Sequence, residues 1–553
     1  MFCYLRSRSA YAMATASLFR LQATARTITI CLPARDRGAC HGLDEIALMQ
    51  GQQSITEVSS HSSPKSTSIQ HFAGFNARWL LLAVVLLGLA VRCRHYLAAP
   101  SYWYDEAYVL VNVFDKTFAQ LTGPLRCDQA APPAFFWVLR LLYETFGRSE
   151  WAMRAPAFIA SVLAVIAMIP LARRVVSSVG VWWAVGFLAL SQTAVFHTVC
   201  VKPYSGDLLA TVLVLLLGAI LLESNSVGRR WAWVGLFTSG LILPWASYPS
   251  VFSLGGVTMA LLVRALSLRA EPFGRSLPSI GRRLSLPSLF TLVWVTSFLS
   301  VWLLIGRGQY SNPLAENWRP FFVDRSSTGA AIASIGRTLL KLGHYGTTGM
   351  HWPLILLGGY GAWRLGRISF ARLALIAGPL ALMFVASALN FYPLEDRLFF
   401  FALPCLWLLA AAGIDGLLKL EWRRWRPAIA FLLAVPLLPG AVRYVYWLAI
   451  VPDKVEYRQA FAYVQEHERP GDGWWVSHPE VFEVYFGKDR PCNVQPSADR
   501  RAWLILARGC DERAMIANMG CQTRRTLERH EMQTVTVLLF DVESSDDVLP
   551  SGQ

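Results

Sequence analysis

Apolar residues in this chain come in long blocks separated by short polar stretches, and the length of the blocks is their main message. A helix of roughly 17 to 20 apolar residues crosses about 30 Å of hydrocarbon. About eleven such spans are predicted. They run over Arg78–Tyr96, Ala155–Ala172, Val181–Phe196, Leu208–Leu222, Trp231–Ala246, Tyr248–Leu266 and Leu289–Ile305, then over the short Trp352–Trp363, Leu373–Leu389, Leu398–Leu418 and Pro427–Ile450. Pro133–Phe146 is apolar as well. It is too short to cross and carries Arg140 and Glu144, so it is predicted to be a helix at the membrane surface.

Both ends differ from this middle. Residues 1–76 mix Arg, Ser, Thr and Gln with short apolar runs, include the Ser-rich Ser54–Ser68, and hold no sustained period. They are expected to be a disordered or mis-annotated N-terminal extension, since Leu18–Leu32 lacks the core and cleavage site of a signal peptide. From Pro452 onward the composition is that of a soluble domain. Helix-like runs at Val455–His467 and Asp511–Met519 alternate with strand-like runs at Gly473–Ser477, Ala502–Ala507 and Thr534–Asp541. The expected fold class is an α-helical polytopic membrane protein with a small C-terminal extracytoplasmic α/β domain, divided at 1–76, 77–450 and 451–553.

Charge orients the spans. Arg173 and Arg174, Arg229 and Arg230, Arg264 to Arg283, Arg364 to Arg372, and Lys419 to Arg426 occupy alternate loops, which the bias of Lys and Arg toward the cytoplasm places inside. The loops holding Asp105 and Glu106, His197–Tyr204, Arg307–His351 and Asn390–Arg397 then lie outside, with everything after Ile450. With 54% hydrophobic residues and 21 Trp, the chain's net charge of +15 is a topology signal plus affinity for anionic headgroups, and no nucleic-acid partner is expected. Among ten cysteines no Cys-x-x-Cys pair occurs, and the histidines are scattered, so there is no zinc signature. Cys492, Cys510 and Cys521 share the outer domain, where a disulfide would leave one thiol over.

Four outside segments carry polar groups that topology alone does not require. The first is Trp103-Tyr104-Asp105-Glu106-Ala107, two adjacent carboxylates framed by aromatics, followed by Asp128-Gln129-Ala130-Ala131-Pro132-Pro133 and Gly147-Arg148-Ser149-Glu150 leading to Arg154. Dehydrating a carboxylate pair costs several kcal/mol, so placing one beside hydrocarbon implies use. The second is His197 to Asp207, with Lys202-Pro203-Tyr204. The third is Asn317-Trp318-Arg319-Pro320-Phe321-Phe322, and the fourth is Tyr392-Pro393-Leu394-Glu395-Asp396-Arg397. Each has an ordinary explanation: an aromatic interface belt, a helix-breaking Pro-Pro, an Arg or Lys reaching the headgroups. Their joint occurrence on one face is what calls for another.

In order and side they resemble the extracytoplasmic face of the GT-C glycosyltransferases, in the bacterial branch related to protein mannosyltransferases and to the aminoarabinose transferases of lipid A. The pieces are the Asp-Glu pair after the first span, the Pro-Pro-aromatic surface helix, the Gly-x-Ser-Glu-x-x-x-Arg entry to the second span, the [Lys/Arg]-Pro-Tyr turn, and Tyr-Pro-x-x-x-Arg before a late span. The resemblance covers about Trp79 to Gly487 and is weak near Tyr457–Asp472. Many relatives carry His-Pro-Pro where this chain has Ala131-Pro132-Pro133, so that His is absent or moved.

The resemblance implies a GT-C fold in the cell inner (plasma) membrane and a sugar donor linked to polyprenyl phosphate. It implies hexosyl or pentosyl transfer to an extracytoplasmic lipid, polysaccharide or protein acceptor. Such transfer passes through an oxocarbenium-like state, and an inverting enzyme needs a carboxylate to align and deprotonate the nucleophile. Asp105 is the candidate base. Glu106, one residue on, points elsewhere in a regular segment and either holds the loop or meets a sugar or metal. Asp128 is a candidate for sugar binding or for a second acidic group. Lys202 and Arg397 fit the leaving phosphate, Tyr204 and Tyr392 its oxygens or the sugar's. Arg154 either joins them or pairs with Glu150, and Arg319 is a weaker candidate. No cofactor is certain, and a divalent metal is left open. The alternative class is a transporter or flippase of lipid-linked glycan intermediates, against which stand the absence of a repeat and the gathering of charge at one face.

Overall fold

The computed structural model describes residues 67–223, 228–267, 277–310, 312–347, 351–419, 454–494, 501–519 and 522–543, with isolated positions between 442 and 451. The helices, numbered here in chain order, are α1 (Thr67–Ala98), α2 (Tyr104–Asp115), α3 (Pro133–Phe146), α4 (Glu150–Val175), α5 (Ser178–Ala189), α6 (Gln192–Thr198), α7 (Tyr204–Leu222), α8 (Arg229–Ala246), α9 (Ser250–Ser267) and α10 (Leu277–Val301). After a π turn at Trp302–Gly306 come α11 (Asn312–Trp318), α12 (Thr328–Gly346), α13 (His351–Ile368), α14 (Phe370–Ala388) and α15 (Leu403–Lys419). Among the described residues seven helices are long and apolar enough to cross a membrane, and α5 with α6, bent by 47°, make an eighth if they form one span. The chain is thus a multi-pass membrane protein. The expected spans at Trp231–Ala246 and Trp352–Trp363 fold as the 18-residue helices α8 and α13. The expected span Pro427–Ile450 falls almost entirely, and the first 66 residues of the N-terminal extension fall wholly, outside the described residues.

A break inside apolar surroundings frees carbonyls that water cannot reach, so something must bond them. At the α5–α6 break that group is Arg92 of α1, which is fully buried. Its guanidinium donates to the carbonyls of Ala189 at 2.7 Å, Leu188 at 2.9 Å and Gly88 at 2.9 Å, and to the Ser161 hydroxyl at 2.9 Å. Ser191 starts α6 by accepting from the Ala194 backbone at 3.2 Å. Elsewhere the bundle closes by backbone approach. A Cβ on Gly361 of α13 would lie 1.9 Å from the Leu409 carbonyl oxygen, and one on Gly413 of α15 2.1 Å from that of Leu357, so only glycine fits at this crossing.

The C-terminal part is built on three more helices and four strands. α16 (Tyr457–His467), α17 (Pro479–Phe486) and α18 (Glu512–Asn518) flank a sheet of β1 (Gly473–Val476), β2 (Arg501–Ala507), β3 (Gln522–Glu531) and β4 (Val535–Glu543) in the order β1-β2-β4-β3, with only β1 and β2 parallel. Strand alternation divides its two faces. Trp474, Trp503, Ile505, Val535, Val537 and Leu539 join a core with Phe461, Val481 and Phe482, while Trp475, Leu504, Leu538 and Phe540 pack with Met515 and Met519. The first core does not stop at residue 451. It includes Tyr102, Ala107, Leu110 and Val113 around α2, and Phe136 and Leu139 of α3, so the stretches 77–450 and 451–553 share it.

Three strands and two helices lie where the alternation predicts them. β3 and α17 do not appear in that reading. β3 is Gln-Thr-Arg-Arg-Thr-Leu-Glu-Arg-His-Glu, an edge strand with no apolar face, interrupted by irregularities and held by backbone pairing to β4 and by His530 stacked on Tyr463 at 4.2 Å. Cys492 and Cys510 carry free thiols, and Cys521 lies outside the described residues. α3 occupies the predicted span of 14 residues, about 21 Å long, short of the hydrocarbon thickness. Its Arg140 donates to the Val113 and Phe114 carbonyls at the end of α2, a cation at a helix C-terminus.

Arg92→Met is expected to lower stability by about 3 kcal/mol, because two buried carbonyls at the α5–α6 break, and that of Gly88 in α1, lose a charged donor. Thermal unfolding in detergent measures it, with Leu80→Met at the exposed face of α1 as the neutral control.

Candidate active site

α2 carries the carboxylate pair in its first turn, where backbone N–H groups and the helix dipole favour negative charge. The sequence reading had these residues in a loop. The helix separates the two side chains, since neighbours on a helix diverge by about 100°. Asp105, 6% exposed, takes the Lys202 ammonium on Oδ1 at 3.0 Å and the Arg397 guanidinium on Oδ2 at 2.8 Å. Glu106, 0% exposed, turns away: it accepts from the Val201 backbone at 2.8 Å and from Trp103 at 3.4 Å, and lies 3.4 Å from the Lys454 ammonium. One helical turn thus fixes both the Asp105 carboxylate and the backbone beside Lys202.

Lys202 is buried and also donates to the Gln129 side-chain oxygen at 2.9 Å. Gln129 follows two residues with left-handed backbone, Cys127 at φ 60° and Asp128 at φ 49°, a conformation non-glycine residues adopt rarely. That turn delivers Gln129 to the site and leaves Asp128 exposed. The buried Asn112 side chain pins the approach by accepting from the Arg126 backbone at 2.8 Å and donating to the Arg126 carbonyl at 3.2 Å. Arg397 lies over the Trp318 ring at 5.7 Å and 3.8 Å from Glu395. The Leu394 backbone donates to the Phe321 carbonyl at 2.8 Å, so the third and fourth outer segments meet.

Electrostatics follow from this packing. Burial would raise the Asp105 carboxyl, but Lys202 and Arg397 overcome it and hold the group at about 2. Burial lowers the Lys202 ammonium from its ordinary value, against the pull of Asp105. Lys454 is raised: burial opposes its charge, and Cys200 and Glu106 outweigh the burial. His478 is held down at about 4 by burial, so its ring is neutral, and its Nδ1 shares a hydrogen bond with the Tyr457 hydroxyl at 2.7 Å.

All four outer segments converge, but not every candidate points to the same place. Arg154 is fully buried, with its donors spent on Glu150 at 2.8 Å, the Val199 carbonyl at 3.1 Å and the Pro100 carbonyl at 2.5 Å, and its plane over Tyr102 at 4.2 Å. The geometry gives it to the framework. Tyr392 donates to the Leu398 carbonyl at 2.7 Å and packs edge-on to Phe252 and Phe401, which braces the turn before the late span. Tyr204 begins α7 with its ring edge-on to His197, whose Nε2 meets the Tyr345 hydroxyl at 2.5 Å. Arg319 is exposed. Gln129, Trp318, Lys454 and His478 were not singled out from sequence. The one signal for Lys454 in the sequence is a cation in a segment that the charge bias expects outside, and Lys116, Arg126 and Arg148 share that property. Among the described residues no group of three or more His, Cys, Asp and Glu side chains is arranged to hold a metal ion.

Residues 130–263, which run from α3 through the Lys202 turn into α9, match the family model described as dolichyl-phosphate-mannose-protein mannosyltransferase. This supports a glycosyltransferase of the GT-C type. Among solved structures the chain is similar to ArnT from Cupriavidus metallidurans in the apo state, at 14% identity over 84% of this chain and 98% of that one, with a TM-score of 0.49. It is similar to the same protein bound to undecaprenyl phosphate at 16% identity over 83% and 97%, with a TM-score of 0.47. The oligosaccharyltransferase of Archaeoglobus fulgidus, in complex with Zn and sulfate, follows at 15% identity over 73% and 61%, with a TM-score of 0.45. Likenesses of this degree lend no weight to the role of any residue. No curated protein matches the chain by sequence.

A carboxylate with a depressed pKa stabilises the fold above the unfolded value of about 3.9 and loses that contribution as pH falls toward its folded value of about 2. The gap in unfolding midpoint between the wild type and Asp105→Asn is therefore expected to be constant above pH about 5 and to shrink between pH about 4 and 2. Unfolding scans at stepped pH read it directly.

Proposed function

We propose that the chain transfers a hexosyl or pentosyl group, with inversion, from a polyprenyl-phosphate donor to an acceptor on the extracytoplasmic side of the plasma membrane. The acceptor classes are lipid, polysaccharide and protein. The observation that carries this reading is the Asp105 carboxylate bridged by Lys202 and Arg397 at 3.0 and 2.8 Å. An acid and two cations are collected there from three distant parts of the chain. The motif order and the family match over residues 130–263 support it.

In the reaction the acceptor hydroxyl passes its proton to Asp105 as its oxygen bonds to the anomeric carbon from the face opposite the phosphate. The bond from that carbon to the phosphate oxygen breaks, and the phosphate leaves with the electron pair. A phosphate that gains charge in a site shielded from water is stabilised by cations already in position. Lys202 and Arg397 supply them. As they turn to the phosphate, Asp105 gives up the counter-charges that hold it at about 2, and its affinity for a proton rises. The base thereby strengthens only where a donor sits. The donor-free pairing of Asp105 with both cations is the resting form of the site.

Asp105→Asn is expected to abolish transfer while keeping or increasing affinity for polyprenyl phosphate, because the amide takes no proton and frees both cations. Lys202→Met and Arg397→Met should each slow turnover by roughly 3 kcal/mol of barrier and weaken lipid-phosphate binding. Mass spectrometry of envelope lipids and glycans from cells with wild type or Asp105→Asn, together with binding of polyprenyl phosphate to the purified chain, measures both. Transfer by Asp105→Asn at the wild-type rate would remove Asp105 from the role of base.

Reporters fused near Ser226, Arg275, Arg367 and Arg424 are expected in the cytoplasm, and those near Lys202, Asn317 and Gly471 outside. Lys202 and Arg275 on one side would sink the outward orientation and, with it, the lipid-linked donor.

A further inference from the structure

The chain neighbours of Asp105 are both held by the outer domain. On one side Tyr104 is stacked face to face on His478, with ring centroids 4.6 Å apart and planes 13° from parallel. On the other, Glu106 lies 3.4 Å from the Lys454 ammonium. Lys454 also donates to the Cys200 sulfur at 3.0 Å and lies 4.7 Å over the Phe196 ring and 5.6 Å over that of Trp103. It therefore touches the chain just before Asp105, the residue just after it, and the residue two before Lys202. Glu106 completes the joint through the Val201 backbone at 2.8 Å.

We propose that the C-terminal domain is a working part of the active site, in which Lys454 and His478 are positioning residues that set the Asp105 carboxylate against Lys202 and Arg397. The inference rests on the reading of Asp105 as base. Neither residue is placed to meet the donor itself: the Lys454 side chain is 7% exposed with its donors turned to Glu106 and Cys200, and His478 is committed to Tyr457 and Tyr104. What they control is aim. The first turn of α2 has no side-chain cap other than the reach of Glu106 back to the Trp103 backbone at 3.4 Å, so its orientation is taken from these outside contacts. A misplacement near 1 Å at a reacting group costs about a hundredfold in rate.

Lys454 and Glu106 can be separated from a direct effect of charge by a double-mutant cycle on the full-length chain. Lys454→Met leaves Glu106 buried without its cation, and roughly a tenfold to hundredfold loss of kcat is expected, with binding of polyprenyl phosphate changed less than about threefold. Adding Glu106→Gln removes the stranded charge and should restore part of the lost kcat. Lys454→Arg should keep more activity than Lys454→Met. For His478, Phe preserves the stack on Tyr104 and Ala removes it, so His478→Phe should retain most of the turnover that His478→Ala loses. Wild-type kcat in Lys454→Met, or additive losses in the cycle, overturns the inference for Lys454; equal losses in the two His478 variants overturn it for His478. A wild type that neither binds polyprenyl phosphate nor transfers sugar refutes the functional reading instead. The positioning inference is then judged by the unfolding midpoints of Lys454→Met, Asp105→Asn and the double variant, where coupling supports it and additivity overturns it.

Discussion

A buried carboxylate must be neutralised, and the need to neutralise Asp105 ties together remote parts of this protein. Its partners come from the turn before α7 and from the turn before α15, so the ion pairs join an early part of the bundle to a late one. Burial alone would protonate the group. The two cations reverse that, and the site rests as an ionised acid clamped between bases. Such a clamp is weak evidence for stability; under the proposed function it is a site at rest, because a phosphate brings negative charge and would take over the same cations.

The second constraint is that α2 is short and lies outside the bundle. Twelve residues form a marginal helix on their own. Its stability comes from being built into the hydrophobic core of the C-terminal sheet, where Ala107, Leu110 and Val113 meet Phe461, Val481 and Phe482. Polar ties reinforce the joint. Arg126 makes a bidentate pair with Glu483 at 2.8 Å, Lys488 reaches Asp115 at 2.7 Å, and the Tyr102 backbone donates to Tyr485 at 3.0 Å. The carboxylate pair is thus carried by a helix that belongs as much to the outer domain as to the membrane part.

Within the bundle the same rule of satisfied polarity holds with different means. Arg92 spends a buried charge on carbonyls freed by a helix break, and Asp415 near the C-terminal end of α15 takes Arg364 and Lys419, each at 3.1 Å, with Ser177 as a further donor. Where no polar group is at hand, glycines at the α13–α15 crossing bring backbones together. Charge buried at both ends of the bundle leaves its middle to apolar packing.

The sequence by itself determined the long apolar helices of the membrane part, the helix α3 and most of the C-terminal sheet, and it marked Asp105, Lys202 and Arg397 as candidates. These are local properties: block length, a 14-residue limit, short apolar strand-like runs at β1, β2 and β4, and charges retained on an apolar boundary. The tertiary structure alone decided that Asp105 pairs with both cations at once, that Arg154 and Glu106 are spent on the framework, and that Gln129 and not Asp128 reaches Lys202. It also decided that Lys454 and His478 reach the residues flanking Asp105 across more than 340 positions of chain. Side-chain direction within one helical turn, a left-handed backbone at Cys127 and Asp128, and contacts between remote segments leave no periodic mark. They arise only when the chain has folded and each buried charge has found what neutralises it.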